Sequence, residues 1–258
     1  MNRAVTALRI IDTGVKPARW NIAATAALLE LHRIGATPDT IRFHRYPRSV
    51  LIGRNQALDR EVDIERCHRT GVEIARRVTG GGAVYMSSGI LAWDIVAGRS
   101  RLGDSLGEVT LKIGSAIAAG LRRLGSPAKA DAQGAVDIQG RKVSGSSGGF
   151  DGPTVIIQGT VLIDFDYDEM MSLLKARPDT TKPVAPVASL ADCLDRVPPI
   201  EEVHTAILAE LNNIWDGASV TSELRADELA VADKLFADEI GTDEFVMGAM
   251  ARQNRTSA

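Results

Sequence analysis

Two short runs hold the residues best suited to chemistry. The first is Arg76-Arg77-Val78-Thr79-Gly80-Gly81-Gly82-Ala83-Val84-Tyr85. Three consecutive glycines let a backbone approach a ligand closely, with amide N–H groups free to meet anionic oxygens. The two arginines just upstream offer forked donors that match phosphate or carboxylate. On spacing alone, the alternative is a glycine hairpin flanked by solvated arginines. The second run is Gly140-Arg141-Lys142-Val143-Ser144-Gly145-Ser146-Ser147-Gly148-Gly149. A lysine leaving a strand into a small-residue loop can set its ammonium over an anion without bulky neighbours. As a point charge, Lys142 suits a carboxylate becoming a mixed anhydride, because it follows charge that moves from carboxylate to phosphate. The plain alternative is a solvated surface lysine. Neither run is a Walker A loop. Gly145 to Gly149 also fits the GxSxG pattern of a hydrolase nucleophile. That pattern requires a strand, a sharp turn and a helix, and Phe150-Asp151-Gly152-Pro153 cannot begin such a helix.

The elements that must hold these runs are read from periodicity. Asn21 reads as the cap of a helix through Ala23, Ala27, Leu31 and Ile34, with Gly35 just past its end. Val50 to Ile52, Gly71 to Arg77, Ala83 to Met86 and Ile90 to Val96 read as strands. Val109, Ile113, Ile117, Leu121 and Leu124 recur at helical steps, stopped by Gly125 and Pro127. Ala135 to Ile138 and Thr154 to Ile163 read as strands around the glycine- and serine-rich loop. Ile200 to Ile214 and Leu224 to Ile240 read as helices, and the proline-rich stretch from Ala176 to Pro199 as a long loop. Grouped strands without regular interleaving predict an α+β fold with a mixed sheet and flanking helices.

Composition narrows the function classes. The chain has 258 residues, 45% hydrophobic and 24% charged, with a net charge of −3, so no global basic field attracts nucleic acid. No apolar run approaches the ~20 residues that span a bilayer, and Met1 to Ile11 shows no signal-peptide pattern. Cys67 and Cys193 are far apart and form no CxxC, which points to a reducing cytoplasm. His32, His44, His68 and His204 are scattered, which argues against a metal held mainly by histidines.

Taken together, the two runs bring a family into view. Arg76 to Tyr85 resembles the RRxxGGGxVxHD signature of lipoate–protein ligases, and Gly140 to Ser146 resembles their G-[RK]-K-[IV]-x-G-S lysine motif. Gln158-Gly159-Thr160-Val161-Leu162 is similar to the family's QHGTLL strand. Asp12 to Gly14, Asn21 to Ala23, Val50 to Gln56 and Gly241 to Phe245 match further family segments in order. The resemblance implies a fold related to biotin protein ligases and class II tRNA synthetases. Residues 1–258 would form a single catalytic domain without the C-terminal accessory domain that many members carry. It also implies two half-reactions: lipoate (or octanoate) and Mg2+·ATP form an acyl-adenylate, then a lysine of an apo lipoyl-domain acceptor displaces AMP. By motif match, Lys142 is the catalytic residue, binding the carboxyl oxygen and the α-phosphate. Arg77, Gly82, Ala83, Val84 and Tyr85 would contact the nucleotide, and Arg76, Gly81, Ser144, Gly145 and Thr160 would complete the substrate site. No metal ligand is assigned.

The sequence also departs from the family. Met86-Ser87 stands where the family carries His-Asp, and Thr25-Ala26 where its first helix often carries an acidic pair. Gly134-Ala135 stands where an Asn-Asp precedes the lysine motif, and Gln158 meets Gly159 where a histidine usually intervenes. These losses leave two alternatives open: a cysteine-dependent octanoyl or lipoyl transferase without ATP, and a non-catalytic lipoyl-binding subunit. Transfer through a thioester needs an activated thiolate. Cys67, in a helix from Ile64 to Arg69, reads as packed, and Asp192 beside Cys193 raises that thiol's pKa. The same losses lead to the expectation that a separate small accessory subunit completes the site. Phe236, Ile240, Phe245, Val246 and Met247 are then a docking surface, or else they simply pack the last helix onto the core. The polar tail from Arg252 to Ala258 is expected to fray.

Overall fold

The structure is a computed structural model that describes residues 7–175 and 186–248. Its elements run β1 (Leu8–Val15), α1 (Ala18–Arg33), β2 (Thr40–Arg45), β3 (Ser49–Ile52), α2 (Leu58–Glu61), α3 (Ile64–Thr70) and β4 (Glu73–Arg76). Then come β5 (Val84–Met86), β6 (Ile90–Gly98), α4 (Arg99–Leu102), α5 (Leu106–Arg123), β7 (Lys129–Ala130), β8 (Val136–Ile138), β9 (Arg141–Asp151) and β10 (Thr154–Leu162). The last are α6 (Tyr167–Leu173), α7 (Ile200–Leu211), β11 (Ser219–Thr221), α8 (Ala226–Leu235) and α9 (Asp243–Met247). Eight strands form one mixed sheet in the order β11-β1-β2-β6-β10-β9-β8-β7, and β4-β3-β5 form a second, smaller sheet. This is the α+β architecture expected from the grouped strands.

Alternation along the strands sorts residues onto two faces. On one face Leu91, Trp93, Ile95 and Ala97 of β6, with Val155, Ile157 and Val161 of β10, pack against α5 and α7. The helix α5 begins where Ser105 accepts from the Glu108 amide while Glu108 reaches back to the Ser105 amide. Its Val109, Ile113, Ile117 and Leu121 are buried as the spacing predicts. Gly120 lets α7 come close, since a Cβ there would stand 2.6 Å from the Ile207 Cα. The opposite face of the main sheet meets α1 and the small sheet around a second core, in which Ile22, Ala92, Val50, Ile52 and Tyr85 take part.

Three expectations are corrected. Pro17, not Asn21, caps α1, and Asn21 lies a turn inside the helix, where its side-chain amide donates to the Lys16 and Arg45 carbonyls. Those bonds tie the helix to β2, which a solvent-facing cap could not do. The glycine- and serine-rich run is strand β9, not a loop, and is paired with β10 over Ser144 to Asp151. At Gly148 close packing requires the absence of a side chain: a Cβ there would stand 2.3 Å from both the Ile156 carbonyl oxygen and the Ile157 Cδ1. Leu224 to Ile240 is α8 followed by a π turn over Phe236–Ile240. Of the five C-terminal apolar residues, Ile240 and Val246 are buried in the second core and Phe245 packs against it, as in the packing alternative, while Phe236 and Met247 are exposed. Residues 176–185 of the proline-rich stretch and the tail from Arg252 to Ala258 lie outside the described residues.

Candidate active site

The site is built on the face of the main sheet that turns toward the small sheet. Four strands place polar residues there in register. Arg42 on β2 pairs with Asp94 on β6, Asp94 with Gln158 on β10, and Gln158 with Ser147 on β9. Arg42 donates to Asp94 Oδ2 at 2.7 Å, Gln158 Nε2 to Asp94 Oδ1 at 2.9 Å, and Thr25 of α1 to Asp94 Oδ2 at 2.6 Å. Thr79, from the glycine run, donates to Gln158 Oε1 at 2.8 Å, and its hydroxyl lies 3.3 Å from that of Ser147. Arg42 and Asp94 are wholly buried. Burial works against the Asp94 charge, and Arg42 with the Thr25 and Gln158 hydrogen bonds outweighs it, so its pKa sits below the usual carboxylate value. Removing one member of such a pair strands the other and costs ~3–5 kcal/mol. The ladder therefore fixes where the glycine run rests on β9.

The next register row is different. His44, Ala92, Thr160 and Gly145 lie side by side across β2, β6, β10 and β9. Ala92 and Gly145 present almost no side chain, and Lys142 fills the space over Gly145: a Cβ there would stand 2.7 Å from Lys142 Nζ. Among the described residues the Lys142 ammonium has no hydrogen-bond or ion-pair partner. His44 is fully buried; its Nδ1 has no hydrogen-bond partner and lies 3.8 Å from Asp94 Oδ2, while Nε2 lies 3.1 Å from the Tyr46 hydroxyl. Burial, followed by the Arg42 charge, pushes the His44 pKa down to about 3, so the ring is neutral near pH 7.

Above this floor sits the glycine run. Gly81 has φ +94°, a conformation glycine adopts without strain. A Cβ on it would stand 3.5 Å from Ser147 Cβ. A Cβ on Gly53, after β3, would stand 2.0 Å from the Gly81 carbonyl oxygen. The run is thus wedged between the β3 turn and β9. Gly145, under Lys142, and Ser147, under Gly81, share one face of β9 about 7 Å apart by strand geometry.

The two arginines of the run point to different places. Arg77 is buried and donates to the carbonyls of Leu51 (3.0 Å), Gly80 (2.8 Å) and Gly82 (2.9 Å), so it moulds the glycine run from beneath. Burial lowers its pKa to about 10, which leaves it cationic at neutral pH. Arg76 is also buried and reaches the carbonyls of the β3 turn and of residues 245–247. Among the described residues, no carboxylate lies within 4.0 Å of the cationic nitrogens of Arg76, Arg77 or Lys142. Lys142 is a cation without a partner, and Arg76 and Arg77 are cations balanced by backbone carbonyls alone, around a run of backbone amides suited to an anion.

Other expected site residues are dispersed. Ala83 is half-buried, Val84 is exposed, and Tyr85 turns into the second core, where its hydroxyl bonds to Glu169. Ser144 is buried opposite Val161, while Thr160 shares the floor with Gly145. Sequence reasoning missed Arg42, Asp94 and Ser147. The legible signal was a charge set between apolar neighbours, as in Phe43-Arg42-Ile41 and Trp93-Asp94-Ile95.

Neither thiol joins the site. Cys67 is buried in α3, and burial drives its pKa up to about 11. Cys193 packs against the core on the helical face, and burial raises its pKa despite Arg141. Ser147 lies in mid-strand, without the turn and helix of a hydrolase elbow.

The chain belongs to the lipoyl protein ligase A/B catalytic domain family, which matches residues 17–212. It is 31% identical to an octanoyltransferase LipM from Moorella thermoacetica over 189 residues (65% of this chain, 69% of the relative). It is 27% identical to a lipoate-protein ligase A subunit 1 from Thermoplasma acidophilum over 255 residues (91% and 94%). Among solved structures, a lipoate protein ligase from T. acidophilum with bound lipoic acid superimposes with a TM-score of 0.81 at 25% identity, covering 94% of this chain and 99% of that one. A lipoate-protein ligase A bound with ATP gives the same score and identity over 94% and 98%. A bi-partite lipoate protein ligase with its E2 lipoyl domain, also from T. acidophilum, gives 0.81 at 26% identity over 94% and 96%. Among the described residues, no helix is long and apolar enough to cross a membrane.

Proposed function

We propose that this chain is the catalytic component of a lipoate–protein ligase. It joins lipoate, or octanoate, to ATP as an acyl-adenylate and delivers the acyl group to a lysine of a lipoyl domain. The observation that carries this reading is the set of three cations without carboxylate partners, Lys142, Arg76 and Arg77, around the glycine run. In the first half-reaction a carboxylate oxygen forms a bond to the α-phosphorus and pyrophosphate leaves. Lys142 holds the carboxylate and α-phosphate oxygens together, while the amides from Gly81 to Val84 bind the phosphate chain. In the second, the acceptor amine forms the amide, AMP leaves, and the amine gives up a proton. No protein nucleophile takes part. Thr160 and Gly145 floor the acyl group beside Lys142, Arg77 moulds the glycine run, and Arg76 fixes the turn beneath it.

Among the described residues no group of three His, Cys, Asp or Glu could hold a metal ion. Mg2+ enters this reading as part of the substrate Mg2+·ATP. The structures of relatives with lipoic acid and with ATP support both substrates.

A second reading follows from the octanoyltransferase relatives. It needs a thiolate in the site, and both cysteines have raised pKa values and lie elsewhere. The bi-partite relative and its E2 lipoyl domain support an apo lipoyl-domain acceptor and a small accessory subunit as partners. The isolated chain is then expected to turn over weakly, and a co-purified small partner to restore the rate. Pyrophosphate release on adding lipoate and Mg2+·ATP tests the reading. Its absence, together with an acyl group trapped on cysteine, would establish the transferase instead.

A further inference from the structure

The family match ends at residue 212, yet Arg76 of the glycine run reaches well past it. Its Nε donates to the carbonyls of Phe245 (3.1 Å) and Val246 (3.0 Å), and Nη2 to those of Val246 (2.8 Å) and Met247 (3.4 Å). Nη1 donates to the carbonyls of Gly53 (3.0 Å), Arg54 (3.1 Å) and Gln56 (2.9 Å). One planar fork therefore joins α9 to the turn on which Gly81 rests. The Arg54 amide continues the connection by donating to the Thr79 carbonyl at 2.9 Å. A lysine could not copy this, because three donors on one nitrogen cannot reach acceptors at two separate edges of a guanidinium-sized plane.

Two more features hold α9 in place. Arg19 of α1 donates to the Gly241 carbonyl at 2.8 Å and pairs with Asp243 at 2.8 Å, while its Nε donates to the Ile74 carbonyl of β4. Ile240 and Val246 are buried in the second core. With no carboxylate beside it, the Arg76 charge is satisfied by carbonyls alone, and burial lowers its pKa. Loss of α9 would remove the acceptors at residues 245–247. The guanidinium would then turn to water and release the Gly53–Gln56 turn.

We infer that α9 is a latch that positions the anion-binding glycine run through Arg76. The C-terminal turn, outside the matched region, thereby becomes part of the machinery of the site, and Arg76 is a positioning residue. The nature of the bound anion rests on the function proposed above; the mechanical coupling does not.

Two variants of the full chain test the latch from opposite ends. Arg76→Lys keeps the charge and removes the fork. Gly248→Ala leaves the loop untouched, but its Cβ would stand 2.8 Å from the Arg76 guanidinium, at a backbone φ of +54°. Amide hydrogen exchange without ligand reads the coupling at Arg54 and Arg77, whose N–H groups bond to Thr79 and Ile52. Both variants should exchange there about 10-fold faster or more, with β6 and α5 unchanged. With substrates, KM for ATP should rise about 10-fold and the KM for lipoate much less. Unchanged exchange at Arg54 and Arg77 in both folded variants would overturn the latch, and so would a uniform acceleration that includes β6. A wild-type chain that forms no acyl-adenylate would remove the proposed function, while the exchange data would still decide the latch.

Discussion

Replacing Gly53 with alanine is a small change that the structure turns into a large displacement. Gly53 does not have a positive φ, so alanine is compatible with its backbone. The new Cβ, however, would stand 2.0 Å from the Gly81 carbonyl oxygen and 3.0 Å from the Gly81 carbonyl carbon. An ordinary carbon–oxygen contact is about 3.3 Å, so the two must separate by about 1.3 Å. The strand end at Ile52 is buried in the second core, whereas Gly81 sits in the glycine run, whose neighbouring carbonyls at Gly80 and Gly82 are held by Arg77 hydrogen bonds and not by core packing. The run should therefore give way, lifting its amides from their place beside Ser147 and Lys142. Misplacement of about 1 Å at a site that works by positioning costs on the order of 100-fold. The strain on the fold is that of a mild overpacking, ~1–3 kcal/mol, or a Tm lower by roughly 2–12 °C in a chain of this size. The assay is single-turnover formation of acyl-adenylate alongside thermal unfolding. A folded Gly53→Ala protein that forms adenylate at the wild-type rate would refute the claim that the position of the glycine run matters to the chemistry.

Further predictions concern charge and thiols. Lys142→Ala should abolish adenylate formation with little change in Tm. Lys142→Arg should also fail, because the larger planar head does not fit over Gly145; activity in either variant measured by pyrophosphate release would remove Lys142 from the mechanism. His44 is held neutral with a pKa of about 3, so the unfolded chain binds one more proton than the native one between about pH 6.5 and 3. Stability should rise with pH across that window, and urea midpoints of His44→Gln should show a shallower slope there; an identical slope would contradict the assignment. The double variant Cys67→Ser, Cys193→Ser should retain acyl transfer to a lipoyl domain, as scored by mass of the acceptor, and its loss in a folded protein would favour a thioester route.

Much of the fold is legible where one physical rule dominates. The strand β6 and the helix α5 follow their periods because one face of each is buried against the same core. The strand β9 is not legible from composition. Glycine and serine usually mark loops, but here they are what a strand must be made of when Ile156 and Ile157 press against it. Asn21 looks like a cap because its side chain suits one, and nothing local announces that the Lys16, Arg42 and Arg45 groups it serves lie within reach. At the site, Lys142 and the glycine run stand out by type and spacing. The ladder of Arg42, Asp94, Gln158 and Ser147 does not, since four separate strands contribute it and only their register brings it together. The paired arginines read alike in sequence, but successive residues at the end of a strand point to opposite sides. Arg77 accordingly serves the glycine run and Arg76 the C-terminal turn.

The most direct measurement is mass spectrometry of the chain after incubation with lipoate and Mg2+·ATP. The account predicts lipoyl-AMP and pyrophosphate, at least in single-turnover amount from the isolated chain, and neither product from Lys142→Ala. Absence of lipoyl-AMP from the wild-type chain, with an acyl group instead appearing on Cys67 or Cys193 when an octanoylated lipoyl domain is supplied, would contradict it.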